Sequence, residues 1–173
     1  PRLRGFRCDG RERVGKLNET WNLLIATSGQ FSDHALLAGE EFGVGGEMFG
    51  RGYDSSEISG EQGAATRLEL QANFITNWPI LDSWQLFGFH DFGVVWNKDR
   101  DSAEDNKPRA LESVGVGGRF QFTPSLYGEL TLAKPTTRPV ATKGKDASRI
   151  LFRIRQRFNM PGPKADIATG GDS

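Results

Sequence analysis

Residues 66–76 read TRLELQANFIT, and the order of side chains there decides the fold class. Leu68, Leu70, Ala72 and Phe74 fall on one side of an extended chain, and Arg67, Glu69, Gln71 and Asn73 on the other. Successive side chains of a strand point to opposite faces, so a period of two predicts a strand with one apolar and one polar face. The rhythm recurs downstream. In 84–96, WQLFGFHDFGVVW, Trp84, Leu86, Phe92, Val94 and Trp96 oppose Gln85, Phe87, Phe89, Asp91 and Gly93. In 111–122, Val114, Val116, Phe120 and Phe122 oppose Ser113, Gly115, Gly117, Arg119 and Gln121. Leu126, Leu130 and Leu132 oppose Tyr127, Glu129 and Thr131 in 125–133. Ile150, Phe152, Ile154 and Phe158 oppose Arg149, Arg153, Arg155 and Arg157 in 149–158. An earlier stretch, WNLLIATSGQF at 21–31, fits less cleanly. The chain therefore reads as all-β, with about six antiparallel strands of about ten residues.

The rest is punctuation. A long Gly-rich loop spans about 40–64, and the charged run at 97–109 is a solvated turn. Residues 1–16 are basic and poorly patterned; with Pro at position 1 and no initiator Met, the start reads as cut or truncated. Residues 17–158 form the patterned region, and 159–173, with its Pro, Gly and Ser, reads as a disordered tail. Lys plus Arg equals Asp plus Glu, 22 each, so no net field argues for nucleic acid. One cysteine, Cys8, excludes an internal disulfide and a cysteine-based zinc cluster.

Alternation has two meanings. A soluble sandwich or small barrel turns its apolar face inward, whereas a transmembrane barrel turns it to lipid and lines its lumen with the polar face. Strand length, Trp78, Trp84 and Trp96 at strand ends, and Phe158 closing the last strand favour the membrane arrangement. About six strands cannot close such a barrel, since the smallest have about eight, so the chain is expected to be part of a longer wall.

Within the loop, FGVGGEMFGRGYD at 42–54 holds a single guanidinium, Arg51, among glycines that let the backbone pack close to a wall. Folded into a lumen, that arginine needs a carboxylate. Asp91, alone in mid-strand on the polar face, is the first choice, and Glu69 on the preceding strand the second. A forked arginine–carboxylate pair would latch the loop to the wall. Arg67, Arg119, Arg153, Arg155 and Arg157 read as lumen lining.

Other patterns lead nowhere. DFG at 91–93 lacks the companion loops of a kinase, and GVGG at 43–46 and 115–118 lacks a strand–turn–helix setting. His34 and His90 stand far apart, so no metal site, no cofactor and no enzymatic centre is expected.

Five motifs carry a resemblance. EEFGVGGEMFGRGYD followed by SGEQGAATRLEL, FGFHDFGVVWN (87–97), LESVGVGGR (111–119), LAKPTTRPVAT (132–142) and RILFRIRQRF (149–158) closely resemble, in order and spacing, segments of the two-partner secretion transporters of the haemolysin secretion/activation family. The resemblance implies a barrel of about sixteen strands preceded by POTRA domains, of which this chain would hold the C-terminal strands. It also implies that the loop tip, Arg51, Gly52 and Tyr53, meets a wall motif at Phe89, Asp91 and Gly93, with Glu69 nearby. The implied function is passage of an unfolded exoprotein of haemolysin or adhesin type across the outer membrane of a Gram-negative bacterium, without ATP. The implied partners are that client, the bilayer and the barrel-assembly machinery, with no nucleic acid. Four features depart from the family pattern: Gly50 stands where Val is usual, as in one branch of the family, the POTRA domains are not among these residues, residues 1–16 match poorly, and residues continue past Phe158. Two rivals remain open, an assembly factor of the same superfamily and a soluble β-sandwich binding module.

Overall fold

The computed structural model describes residues 5–32, 36–97, 107–137, 140 and 148–158. The tail expected at 159–173 and most of the turn expected at 97–109 lie outside them. The described residues form strands β1 (Gly5–Lys16), β2 (Trp21–Ser32), β3 (Phe42–Val44), β4 (Ile58–Gly60), β5 (Gln62–Trp78), β6 (Leu81–Trp96), β7 (Arg109–Thr123), β8 (Leu126–Pro135) and β9 (Arg149–Gln156). Seven of them make one sheet in the order β1-β2-β5-β6-β7-β8-β9, and β3 pairs with β4 in a separate ribbon. Every neighbouring pair in the large sheet is antiparallel, so it is a meander interrupted only by the long loop between β2 and β5.

Three strands exceed the sequence expectation. The poorly patterned start forms β1, which pairs with β2 from Gly5↔Ser32 to Lys16↔Asn22, with a register shift between Cys8 and Arg11. Backbone hydrogen bonds hold it there, and such bonds do not require alternating side chains. The Gly-rich loop is not wholly irregular either. Phe42 and Val44 alternate inward on β3, Val44 opposite Ile58 and Phe42 opposite Gly60 of β4, while Gly43 pairs with Ser59 between them.

The faces of the sheet are sorted in an unusual sense. Glu69, Gln71, Asp91, Ser113 and Thr131 are buried. Leu70, Leu86, Val116, Leu132 and Ile150 are exposed, Leu70 at 43 % and Ile150 at 70 %. A water-soluble sheet does the opposite, because Asp and Glu almost never lie fully buried unless paired. A sandwich would also cover the apolar face with a second sheet, yet the β3–β4 ribbon lies on the other, polar side: Val44 packs on Gly93 and Phe42 on Gly63. Apolar outside and polar inside is the pattern of a wall whose outer neighbour is hydrocarbon. Among the described residues no helix is long and apolar enough to cross a membrane, which says nothing about strands.

Aromatics mark the short-turn end of the outer face. Phe74 and Trp84 stack with centroids 4.1 Å apart, and Trp84 Nε1 donates to Thr76 Oγ1 at 3.1 Å. An amphipathic ring with a hydrogen-bonded tip suits the border between acyl chains and headgroups.

Replacing outward Leu130 by Arg is expected to reduce the amount of folded, heat-modifiable barrel in the membrane, a depth-dependent cost of about 2–4 kcal/mol at the midplane. Replacing inward Gln121 by Arg is expected to leave that amount close to wild type. Gel mobility of unheated membranes checks both.

Candidate functional site at the loop and inner wall

Glycine shapes the loop. Gly45, Gly46 and Gly50 adopt φ of +123°, +86° and +102°, a region side chains rarely enter. Between them the chain closes on itself: Gly45 N–H donates to Phe49 O at 2.8 Å, Gly46 N–H to Gly50 O at 3.1 Å, and Tyr53 N–H to Gly50 O at 2.9 Å. The departure at Gly50 thus has a local reason. A Cβ there would meet Leu111 Cδ1 at 2.9 Å as well as suffer the positive φ.

That turn aims consecutive N–H groups at one acid. Asp91 has no exposed surface. Its Oδ2 accepts from the N–H of Gly50 at 3.2 Å, the N–H of Arg51 at 3.0 Å and Arg51 Nε at 3.0 Å. Its Oδ1 accepts from Arg51 Nη2 at 2.9 Å. The fork is bidentate, and the remaining guanidinium nitrogen, Nη1, donates to Glu69 Oε2 at 3.0 Å. Both candidate acids therefore hold the same arginine.

The cluster extends past Glu69. Arg119 Nη1 lies 2.6 Å from Glu69 Oε1 and Nη2 lies 3.2 Å from Glu69 Oε2, while Gln71 Nε2 donates to Oε1 at 2.7 Å. Arg119 Nε also reaches Glu129 Oε2 at 3.4 Å, and Tyr127 OH donates to the same oxygen at 2.6 Å. Two aromatic rings floor the arrangement: the Arg51 guanidinium sits 3.4 Å from the Phe89 centroid and that of Arg119 sits 4.0 Å from the Phe87 centroid. Cations over ring faces are attracted by the ring quadrupole.

The rings lie flat because β7 has no side chains beneath them. A Cβ at Gly115 would meet Phe89 Cζ at 2.5 Å, and one at Gly117 would meet Phe87 Cζ at 2.3 Å. Close approach also explains Gly52 and Gly93. A Cβ at Gly52 would lie 2.8 Å from Pro135 N and from Ser113 Cβ, and one at Gly93 would lie 2.2 Å from Val44 Cγ1. Tyr53 is fully buried in the small apolar cluster of Phe42, Val44, Ile58, Ala65, Val95, Leu111 and Val140. Its hydroxyl oxygen accepts from Thr137 N–H at 3.4 Å.

The residues read as lining divide into three kinds. Arg119 belongs to the charge cluster itself. Arg67 and Arg153 contact the loop: Arg67 donates to the carbonyls of Glu47 and Met48, and Arg153 pairs with Glu47. Arg67 Nε has no hydrogen-bond partner and stands 3.8 Å from Asp91 Oδ1. Arg155 and Arg157 are exposed at the short-turn end, Arg155 lying 5.8 Å from the Tyr127 ring. A further tie, Arg149 to Asp54 at 2.6 Å, joins β9 to the loop and was not foreseen. Nor were Phe87, Gly115 and Gly117, although aromatics on a polar face opposite a glycine strand were a visible signal.

Compared with known proteins, the chain matches one family model, haemolysin secretion/activation protein ShlB/FhaC/HecB, over residues 11–120. The match runs from β1 into β7 and includes Arg51, Glu69, Asp91 and Arg119. The motifs at 132–142 and 149–158 fall outside it. No curated protein and no solved structure matches the chain.

Gly93→Val is expected to unseat the loop while leaving the strand ladder formed, because the added methyl groups occupy the place of Val44. Limited proteolysis of membranes should then cut within residues 40–60, where the parent chain resists.

Proposed function

The chain belongs to the haemolysin secretion/activation protein ShlB/FhaC/HecB family, a family of outer-membrane two-partner secretion transporters, and from that membership we propose that it forms part of the wall of a pore that passes an unfolded exoprotein. The client crosses the outer membrane of a Gram-negative bacterium along the polar face of the sheet, and the loop carrying Arg51, Gly52 and Tyr53 gives way to it. The observation that carries this reading is the seat of the loop: a buried Arg51 held by Asp91 and Glu69 on the inner face, 2.9 and 3.0 Å away.

Two physical features support transport over chemistry. Amide, hydroxyl and guanidinium groups at Gln71, Asn73, Gln85, Thr131 and Arg119 offer an extended backbone many weak, replaceable hydrogen bonds. The loop is fastened mainly by polar contacts in mid-wall and by a small apolar cluster at the end of the strands, so it can leave without unpairing the sheet. Passage involves no covalent step. Folding of the client outside biases its direction, so no nucleotide is required, and the lipid bilayer and the barrel-assembly machinery are its structural partners.

In the full-length protein, Arg51→Ala and Asp91→Asn are each expected to lower secretion at least about tenfold, since one partner of a buried pair is left unmatched. The loop then has no defined seat and obstructs the conduit. The amount of assembled barrel should stay near wild type. Secretion unchanged in both variants would remove the latch from the transport cycle.

A further inference from the structure

Asp91 and Glu69 hold Arg51 on unequal terms. All four hydrogen-bond donors to Asp91 come from the loop, from Gly50 and Arg51. Glu69 receives one from the loop, at 3.0 Å, and three from the wall: Arg119 at 2.6 and 3.2 Å and Gln71 at 2.7 Å. A carboxylate has about four lone-pair sites, so Glu69 is already nearly saturated without Arg51. Both oxygens of this acid therefore accept from Arg119, and one of them is shared between the two guanidinium groups.

We propose that Arg119 is a resident counter-ion that competes with Arg51 for Glu69 and so sets how easily the loop leaves the wall. With Arg119 in place, departure of Arg51 leaves Asp91 with the Arg67 guanidinium, Nε 3.8 Å away and not hydrogen-bonded to it, but leaves Glu69 neutralised. Arg119 and Arg51 also repel each other across the shared carboxylate, which raises the energy of the seated loop. Arg119 is suited to this because, among the described residues, its hydrogen-bond and ion-pair partners do not include the loop. Its partners are Glu69, Gln85, Glu129 and the Phe87 ring, all on the sheet. It is a positioning residue for the transport cycle, and the inference rests on the loop-release reading above.

Competition and scaffolding predict opposite signs. If Arg119 competes, Arg119→Gln turns Glu69 into a second full anchor for Arg51 and the loop leaves less often; Glu69→Gln exposes Arg51 to an unneutralised Arg119 and the loop leaves more often. If Arg119 merely orients Glu69, both variants loosen the loop. Val44 is fully buried between loop and wall, so a cysteine there reports departure. The experiment uses the full-length protein in native membranes with Cys8→Ser and Val44→Cys, and measures the rate of modification by a membrane-impermeant maleimide.

Arg119→Gln is expected to slow labelling about tenfold, Arg119→Lys to stay within about twofold of the parent, and Glu69→Gln to speed it about tenfold, the usual size of a coupling between two sites. Faster labelling in Arg119→Gln, or its failure to assemble in the membrane, overturns the competition and makes Arg119 structural. An unchanged rate in Arg119→Gln likewise overturns it. A distinct outcome belongs to the release reading: if Asp91→Asn and Arg51→Ala also leave Val44→Cys unreactive, the loop does not leave at all and both proposals fall.

Discussion

A carboxylate with no exposed surface, set in the middle of a strand, is the constraint around which this structure is organised. Asp91 cannot be buried as an unpaired ion, because desolvation would exceed anything a neighbouring apolar contact returns. It needs several donors at once, and among the described residues the wall itself offers only Arg67 Nε, at 3.8 Å. The donors come instead from residues 50 and 51. Bringing two successive N–H groups and a guanidinium to one carboxylate dictates the positive φ at Gly50. That in turn folds the turn from Gly45 to Tyr53. The flat stack of Arg51 on Phe89, and of Phe89 over Gly115, follows from the same geometry.

The loop sits where two different surfaces meet. Toward the end of the strands the inner face is made of Ala65, Val95 and Leu111, and there the loop supplies Phe42, Val44, Tyr53 and Ile58. Toward mid-wall the inner face is made of acids and amides, and there the loop supplies Arg51. The loop sequence is thus split by function: apolar residues flank the tip and one cation occupies it. The outer face follows separate rules, with leucine, isoleucine and phenylalanine left uncovered because their partner is acyl chain rather than protein.

Much of this could be read from residue order. Strands at 66–76, 84–96 and 111–122 were legible because apolar and polar side chains alternate with high contrast. Arg51, Asp91 and Glu69 were legible as isolated charges in places where a charge needs a reason. The start was not, because β1 is held by backbone pairing to β2 and carries few apolar residues to mark a period. β3 and β4 escaped because three residues cannot display one. The tie between Arg119 and Glu69 was not legible for a deeper reason. Arg119 lies on β7 and Glu69 on β5, with β6 between them, so only the sheet's register and the collapse of Phe87 onto Gly117 bring the two together. Sequence reports which face a side chain takes; it does not report how far a long side chain reaches across a strand.

On the proposed transport reading, an ionic seat also suits a loop that must come undone. Separating apolar surfaces into water is unfavourable at every stage, since nothing compensates the newly wetted area. Separating Arg51 from Asp91 is different. As the loop withdraws, water enters, the effective dielectric rises, and each ion gains back hydration while the Coulomb attraction fades. The ionic part of the barrier to release is then confined to the first step, before water has room to enter, and the cations already on the wall reduce what Asp91 and Glu69 lose in it, while the apolar cluster at the strand ends adds its own cost. Arginine fits this better than lysine would. Its planar fork matches a carboxylate and lies flat on Phe89, giving a defined closed state, while its weak hydration eases return to a partly dry site. On that reading, a conduit closed by such a contact could hold its loop firmly between clients and still release it without unfolding the wall.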